Sequence, residues 1–326
     1  MDLIVVFFYA VLLLYVFKLA FRVALSLVYS LGKMGGSSTY PMISVIVPSY
    51  NEEVTIASCI HSLSTLDYPN YEVIIVDDGS TDKTLEIARS LETGRIRVVH
   101  QENRGKANAL NAGIVLSEGE IVLTVDADTT IRRDALASIA HRFARNPRLG
   151  AVAGNIKVTP GPGLLNALQS MEYTVGINLV RKAESVLRSV MIVPGPIAAM
   201  RRDAIQGVGL FSDDTFAEDF DATMKLSKAG YGVEYEENAL AYTDVPKSLE
   251  DLIKQRRRWY RGMIQVLDKH RGMFMRPRYG FAGVIGVPNL WFETTSPIIN
   301  LSLILLTLLS GLYMGEATLT LIGLAT

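Results

Sequence analysis

Acidic residues cluster where short apolar runs end: Asp77-Asp78-Gly79-Ser80, Asp126-Ala127-Asp128 and Glu218-Asp219-Phe220-Asp221. In an extended segment, residues two apart project to the same side, so Asp126 and Asp128 can present paired carboxylates. Mg²⁺ or Mn²⁺ prefers oxygen ligands and commonly takes one or two carboxylates together with phosphate oxygens. Asp128 could therefore hold such an ion while Asp126 orients a phosphorylated donor. Lys106 opens a helical stretch, where its ammonium adds to the positive end of the helix. Asp78, if buried, could accept from the N–H of a nucleobase. Asp219 could act as general base toward an attacking hydroxyl, and a direct displacement of that kind inverts the reacting carbon. Each cluster also has a plain structural explanation. Asp-Gly-Ser makes a good turn with Ser80 or Asp82 as helix cap, and acidic residues at a helix start complement its dipole. The case for chemistry is their joint placement.

A second group lies in a basic stretch over residues 249–270. Gln255, Arg258 and Trp259 stand at i, i+3 and i+4 and share one helical face. An arginine can grip a diphosphate through two hydrogen bonds, and a tryptophan can stack on a sugar ring. The same stretch also reads as an interfacial helix lying on anionic lipid. The two readings are compatible, because Arg256, Arg257 and Arg261 include residues off that face.

The elements positioning these groups follow from hydrophobic patterning. Residues 43–47, 71–76, 96–99, 121–125 and 151–158 are Val/Ile-rich and nearly continuous, as expected for strands covered on both faces. Residues 53–65, 83–91, 106–117 and 134–145 between them have helical periodicity. This alternation implies an α/β fold with a mostly parallel, mixed sheet, in which ligands bind beyond the carboxyl ends of the strands. Neither G-x-G-x-x-G nor a P-loop is present, so a bound nucleotide must rely on carboxylates and metal. A net charge of −1 removes the simplest argument for nucleic-acid binding. The single Cys59 excludes an internal disulfide, and His61, His100, His141 and His270 match no zinc spacing.

Both ends are apolar. Residues 3–17 form an unbroken apolar run of about 22 Å as helix, short of the roughly 30 Å hydrocarbon core. Residues 19–31 continue it if Lys18 snorkels. With Asp2 before the run and Lys18, Arg22 and Lys33 after its start, it reads as an uncleaved anchor with the following domain in the cytoplasm. Residues 254–278 hold nine Lys or Arg, and none follows Arg278. Residues 281–292 and 298–313 are apolar, with Glu293 and Pro297 expected to break or turn the helix, and a weaker apolar stretch covers 317–326. The expected plan is an anchor over 1–33, a catalytic domain over 41–247, a basic interfacial region over 248–278 and membrane helices over 279–326, about three spans in all.

Taken in order, Asp78, Asp126-x-Asp128, Glu218-Asp219 and Gln255-x-x-Arg258-Trp259 resemble family-2 glycosyltransferases of the cellulose-synthase and hyaluronan-synthase type. The resemblance spans roughly residues 41–275 and includes Asn103-Arg104-Gly105-Lys106, similar to the family's lysine-bearing segment near the donor phosphates. It implies a GT-A fold, an Mg²⁺ or Mn²⁺ ion and a UDP- or GDP-linked sugar. Asp78 would contact the nucleobase, Lys106 the phosphates, and Asp126 and Asp128 the donor and metal. Asp219 would be the base, with Gln255, Arg258 and Trp259 at the acceptor and diphosphate. Glu52 would lie near the nucleoside. Few membrane helices argue against a closed polymer channel, so the expected reaction is hexose transfer, mannose favoured, to a polyprenyl- or dolichyl-phosphate-linked acceptor among membrane lipids. The alternatives are a processive polysaccharide synthase and a non-catalytic nucleotide-binding scaffold.

Overall fold

In the computed structural model, which describes residues 3–32 and 40–314, the Val/Ile runs form strands, buried on both faces except at the half-exposed edge strand over 96–101. A long N-terminal helix, α1 (Leu3–Leu31), precedes β1 (Ile43–Ser49), α2 (Ile56–Ser64), β2 (Tyr71–Asp78), α3 (Thr84–Ser90), β3 (Ile96–Gln101) and α4 (Lys106–Leu116). Then come β4 (Ile121–Thr124), β5 (Thr129–Ile131), α5 (Ala135–Arg145), β6 (Leu149–Val158), α6 (Leu164–Met171) and α7 (Leu179–Val186). The chain continues through β7 (Ala198–Arg201), α8 (Arg202–Gly207), α9 (Glu218–Lys228), β8 (Gly232–Thr243), α10 (Leu249–Lys269) and α11 (Val287–Met314).

The eight strands form one sheet in the order β3-β2-β1-β4-β7-β6-β8-β5. β3, β2, β1 and β4 run parallel, as do β6 and β8, while β7 and β5 pair antiparallel to their neighbours. Parallel pairing brings the ends of β1, β2 and β4 to one edge, where Ser49 lies opposite Asp77 and Asp126 follows two residues past Thr124. The acidic clusters at those ends therefore share an edge, as the alternation requires.

At the C-terminal end the structure departs from expectation. α11 runs unbroken through Glu293 and Pro297. A proline inside a helix leaves the carbonyl four residues earlier without its donor; here the Ser296 hydroxyl donates to that Glu293 carbonyl at 3.2 Å. The Glu293 side chain accepts from Lys18 at 2.8 Å and from Arg22 at 2.5 Å, so Lys18 pairs across helices instead of snorkelling. Asn300 donates to the Tyr15 hydroxyl farther along the same α1–α11 contact. Among the described residues, one helical segment, Tyr9–Leu31 of α1, is long and apolar enough to cross a membrane. Its Leu13, Phe17 and Leu31 are exposed, as are Ile298 and Leu309 of α11. Lys33 and the stretch 317–326 lie outside the described residues.

Candidate active site

The loop between β3 and α4 is held by Asp78. Its Oδ1 accepts from the Arg104 N–H at 2.9 Å and the Gln101 amide at 2.7 Å, and its Oδ2 from the Gly105 N–H at 2.8 Å. Gly105 has φ +88, a conformation that favours glycine, and it immediately precedes the first turn of α4. The buried Asp78 carboxylate thus fixes where α4 begins, and with it Lys106. Beside it, the fully buried Asp77 accepts from His100 Nδ1 at 2.7 Å.

Lys106 Nζ donates to Asp126 Oδ1 at 2.6 Å and lies 3.5 Å from Glu218 Oε1. Burial opposes its charge, but Asp126, Glu218 and Asp219 together raise its pKa above the usual lysine value. Asp219 accepts from the Gly195 N–H at 3.1 Å through Oδ2 and from its neighbour Phe220 N–H at 2.7 Å through Oδ1. Burial and the adjacent Glu218 push Asp219 up to about 6, with Lys106 opposing. Residues from β4, α4, α9 and the 194–197 loop therefore converge on one ammonium. Gly195 completes the contact, since a Cβ there would stand 2.9 Å from Lys106 Nζ and 3.3 Å from Asp126 Oδ1. Gly195→Ala should spare the fold, because a flexible lysine end can move aside. Displacing that end should cost roughly 10²-fold in kcat/KM at little change in Tm. An unchanged rate would show that the approach is not needed.

Asp128 lies against Thr129 and Thr243, whose hydroxyls donate to Oδ1 at 3.1 and 3.3 Å. Burial, then Asp126 and Glu52, push Asp128 up to about 6. The Glu52 side chain accepts from Thr55 at 2.7 Å, and its backbone carbonyl accepts from the Thr55 and Ile56 N–H groups, starting α2. Among the described residues no cluster of three or more acidic, His or Cys side chains forms a ready metal cage. The donor set fits an ion completed by donor phosphates and water: two carboxylates two residues apart, with Asp128 disfavoured as an anion until a cation arrives.

α10 starts at Ser248, whose hydroxyl accepts from the Asp251 N–H at 3.1 Å. It packs closely on the segment before Asp219, where a Cβ at Gly262 would meet Ala217 at 2.8 Å. Its C-terminal end is tied to α9 by the fully buried Asp221, which accepts from His270 Nε2 at 2.8 Å and pairs with Lys269 at 3.1 Å. Gln255 and Trp259 are half-buried, Trp259 against the β1–β4 core, and Arg258 is exposed. The Arg256 guanidinium covers the Trp259 ring at 4.1 Å and bonds Glu172. The structure thus brings Lys106, Asp126 and Asp219 together, with Glu52 and Asp128 alongside. Asp78 sits behind Lys106, while Gln255, Arg258 and Trp259 occupy the adjoining helix. Sequence reasoning did not single out Gly195 or Arg256 as part of this site, nor Glu218 as a partner of Lys106. The Pro194-Gly195-Pro196 string, a rigid loop with one free backbone donor, was the available signal for the first.

Residues 44–209 match glycosyl transferase family 2, and residues 217–267 match the chitin synthase-like glycosyltransferase domain. This chain belongs to glycosyl transferase family 2. The family-2 glycosyltransferase is 36% identical over 227 residues to a poly-beta-1,6-N-acetyl-D-glucosamine synthase of Staphylococcus epidermidis, covering 69% of this chain and 55% of the relative. The synthase of the same name in Staphylococcus aureus is 35% identical over the same length. The chain thus spans about half the length of these curated relatives. Its GT-A-type fold is also that of the mannosyltransferase PcManGT from Pyrobaculum calidifontis, solved in complex with GDP-Man and Mn²⁺ (TM-score 0.67, 24% identity, 94% of this chain and 95% of that one). A TarS fragment from S. aureus aligns with TM-score 0.55 at 22% identity, over 77% of this chain and 72% of that one.

Proposed function

We propose that this family-2 glycosyltransferase is a membrane-anchored, inverting synthase. It would transfer N-acetylglucosamine from a UDP-linked donor to the hydroxyl of a growing β-linked glycan, using Mg²⁺ or Mn²⁺. The observation carrying the chemistry is the convergence of Lys106, Asp126, Glu218 and Asp219 at one strand edge. Support for the sugar and the polymeric acceptor comes from relatives at 35–36% identity that are named poly-beta-1,6-N-acetyl-D-glucosamine synthases. The sequence-based expectation of mannose and a polyprenyl-linked acceptor gains nothing comparable, because the mannosyltransferase likeness, at 24% identity, concerns the fold.

Asp219 takes the proton from an acceptor hydroxyl as that oxygen attacks the anomeric carbon. The new C–O bond forms opposite the breaking bond to phosphate, and the nucleoside diphosphate leaves with the electron pair. Inversion follows from that single displacement. Lys106, at the first turn of α4, faces the charge that develops on the leaving group. Asp128, with Asp126 beside it, would hold the divalent ion, which would add neutralisation of the diphosphate. Asp78 holds the 101–105 loop and so sets Lys106, with remaining lone pairs able to meet a nucleobase N–H. α10 presents Gln255, Arg258 and Trp259 to the acceptor side. α1, with α11 packed against it through the Lys18, Arg22 and Glu293 contacts, would keep this site against the cytoplasmic membrane face.

The test supplies UDP-N-acetylglucosamine or GDP-mannose to the full chain in membranes, with Mn²⁺ or EDTA, and sizes the product on a gel. A UDP-N-acetylglucosamine-dependent ladder that EDTA abolishes is expected. Single sugars on lipid would return the reaction to the lipid-linked class, and donor binding with no sugar release would leave a scaffold.

A further inference from the structure

One residue beyond the candidate span of α1, Gly32 lines a cavity of about 230 Å³ that shares no residue with the active site. Its walls come from the end of α1, the end of α5, β8 and the turn after α7, and they include Arg142, Arg145 and Arg188. Arg142 is held rigidly: it bonds the buried Glu236 through Nε at 2.5 Å and the Tyr29 hydroxyl through Nη2 at 2.5 Å. Tyr29 in turn donates to the Tyr235 carbonyl at 2.9 Å, which fastens α1 to β8. Glu236 and, at 3.5 Å, Glu234 both pair with Arg142, and Glu234 also faces Arg188, so three guanidinium groups stand against two carboxylates. The Arg188–Glu234 approach is long, at 3.7 Å, and the Arg188 side chain is 68% exposed. The lining therefore carries a surplus of positive charge among the described residues.

Arg188 is also strained. It follows the last turn of α7 with φ +52, a position at which helices usually place glycine. An arginine kept in that conformation at the rim of an arginine-lined cavity points to a charge worth keeping there. The volume falls below the roughly 300–1,000 Å³ of pockets that take drug-sized ligands, so a whole nucleotide sugar is too large. We propose that this cavity binds a phosphate-bearing anion, the guanidinium groups of Arg145 and Arg188 closing on it from either side. Its location just past the α1 span makes a phospholipid headgroup the natural source, an assignment that rests on the membrane reading of α1. Binding there would lock α1 onto the catalytic domain.

The experiment follows Tm of the full chain in phosphatidylcholine nanodiscs, in nanodiscs also containing phosphatidylglycerol, and in phosphatidylcholine nanodiscs titrated with inorganic phosphate. A ligand binding only the folded state raises Tm. Phosphatidylglycerol should raise it, and Arg145→Gln should weaken the effect about tenfold in apparent affinity. Arg188→Gly should do the same while its own baseline Tm holds or rises, because glycine relieves the backbone strain. The exposed α3 variant Arg89→Gln, outside both the cavity and the basic α10 helix, should keep the full shift. A shift with inorganic phosphate as large as with lipid supports the site and assigns it a soluble anion. The proposal is overturned if neither probe shifts Tm, or if the Arg145 and Arg188 variants respond like the native chain. Asp219→Asn should keep the shift, so failure here and failure of the proposed transferase activity are separately readable.

Discussion

Asp219→Asn should lower kcat by about 10²–10⁴-fold while leaving binding of the nucleoside diphosphate and Tm close to those of the native chain. The rate loss is that expected when a positioned general base loses its basicity. The small Tm change reflects two opposing effects. Burial and Glu218 push the Asp219 carboxyl up to about 6, above its ordinary value of 3.8. A carboxyl shifted upward on folding costs stability once pH exceeds its unfolded pKa, and at neutral pH a neutral isostere relieves that cost. Asparagine, however, has one acceptor oxygen where Asp219 uses two, toward Gly195 and Phe220, so one buried N–H loses its partner. Native kcat/KM should also fall as pH drops below about 6, because protonated Asp219 cannot accept the hydroxyl proton. Kinetics, diphosphate titration and thermal melts on one preparation check all three. A kcat within tenfold of native removes Asp219 from the chemistry, and collapse of Tm together with diphosphate binding makes it a structural residue.

The sequence was informative where one physical signal dominated. β1, β2, β4 and β6 were legible because their faces are both covered, which favours nearly continuous apolar runs, while the half-exposed edge strand β3 showed through its Ile-Arg-Val-Val core. Three strands were not. β5 has three residues, and β7 reads Ala-Ala-Met-Arg, poor in β-branched side chains. In β8 the pairing register jumps between Gly154–Glu236 and Asn155–Leu240, so residues 237–239 bulge out and break any period of two. The Asn155 amide donates to the Glu237 carbonyl at 2.8 Å, satisfying that bulge through a contact between distant segments. The helix through Pro297 escaped for a related reason: Ser296 supplies locally the hydrogen bond the proline removes, and Glu293 gains partners only across space, from α1.

The candidate site was legible as a set. Asp-x-Asp or Glu-Asp alone has an ordinary structural explanation, but two acidic ends of parallel strands and one acidic helix start can share an edge, and here they do. What patterning could not supply was pairing. Glu218 was visible beside Asp219, yet its place near Lys106 depends on α9 folding back over the end of β4. Trp259 was legible as an aromatic on the α10 face, while its cover by Arg256 depends on Glu172 from a π-helical turn, residues 172–178, that has no periodic signature.

That pairing makes Lys106→Met the second large effect. Methionine keeps the length of the side chain and removes the ammonium that Asp126, Glu218 and Asp219 surround. The site then holds like charges without the ammonium that lies between them, and the leaving diphosphate loses a preorganised cation. Loss of one such electrostatic contact typically costs about 10²–10³-fold in kcat. A second consequence separates this from simple loss of donor binding. Lys106 lowers the pKa of Asp219 against the upward push of burial and Glu218, so its removal lets that carboxyl rise further. Asp219 then stays protonated to higher pH, and the acid limb of kcat/KM should move above its native position near 6. Rate-against-pH profiles of the two proteins at saturating Mn²⁺ read this directly. A lowered rate with an unmoved acid limb would place Lys106 on the donor alone, electrically remote from Asp219. A limb that moves upward ties the phosphate-facing cation and the proton-accepting carboxylate into one coupled site.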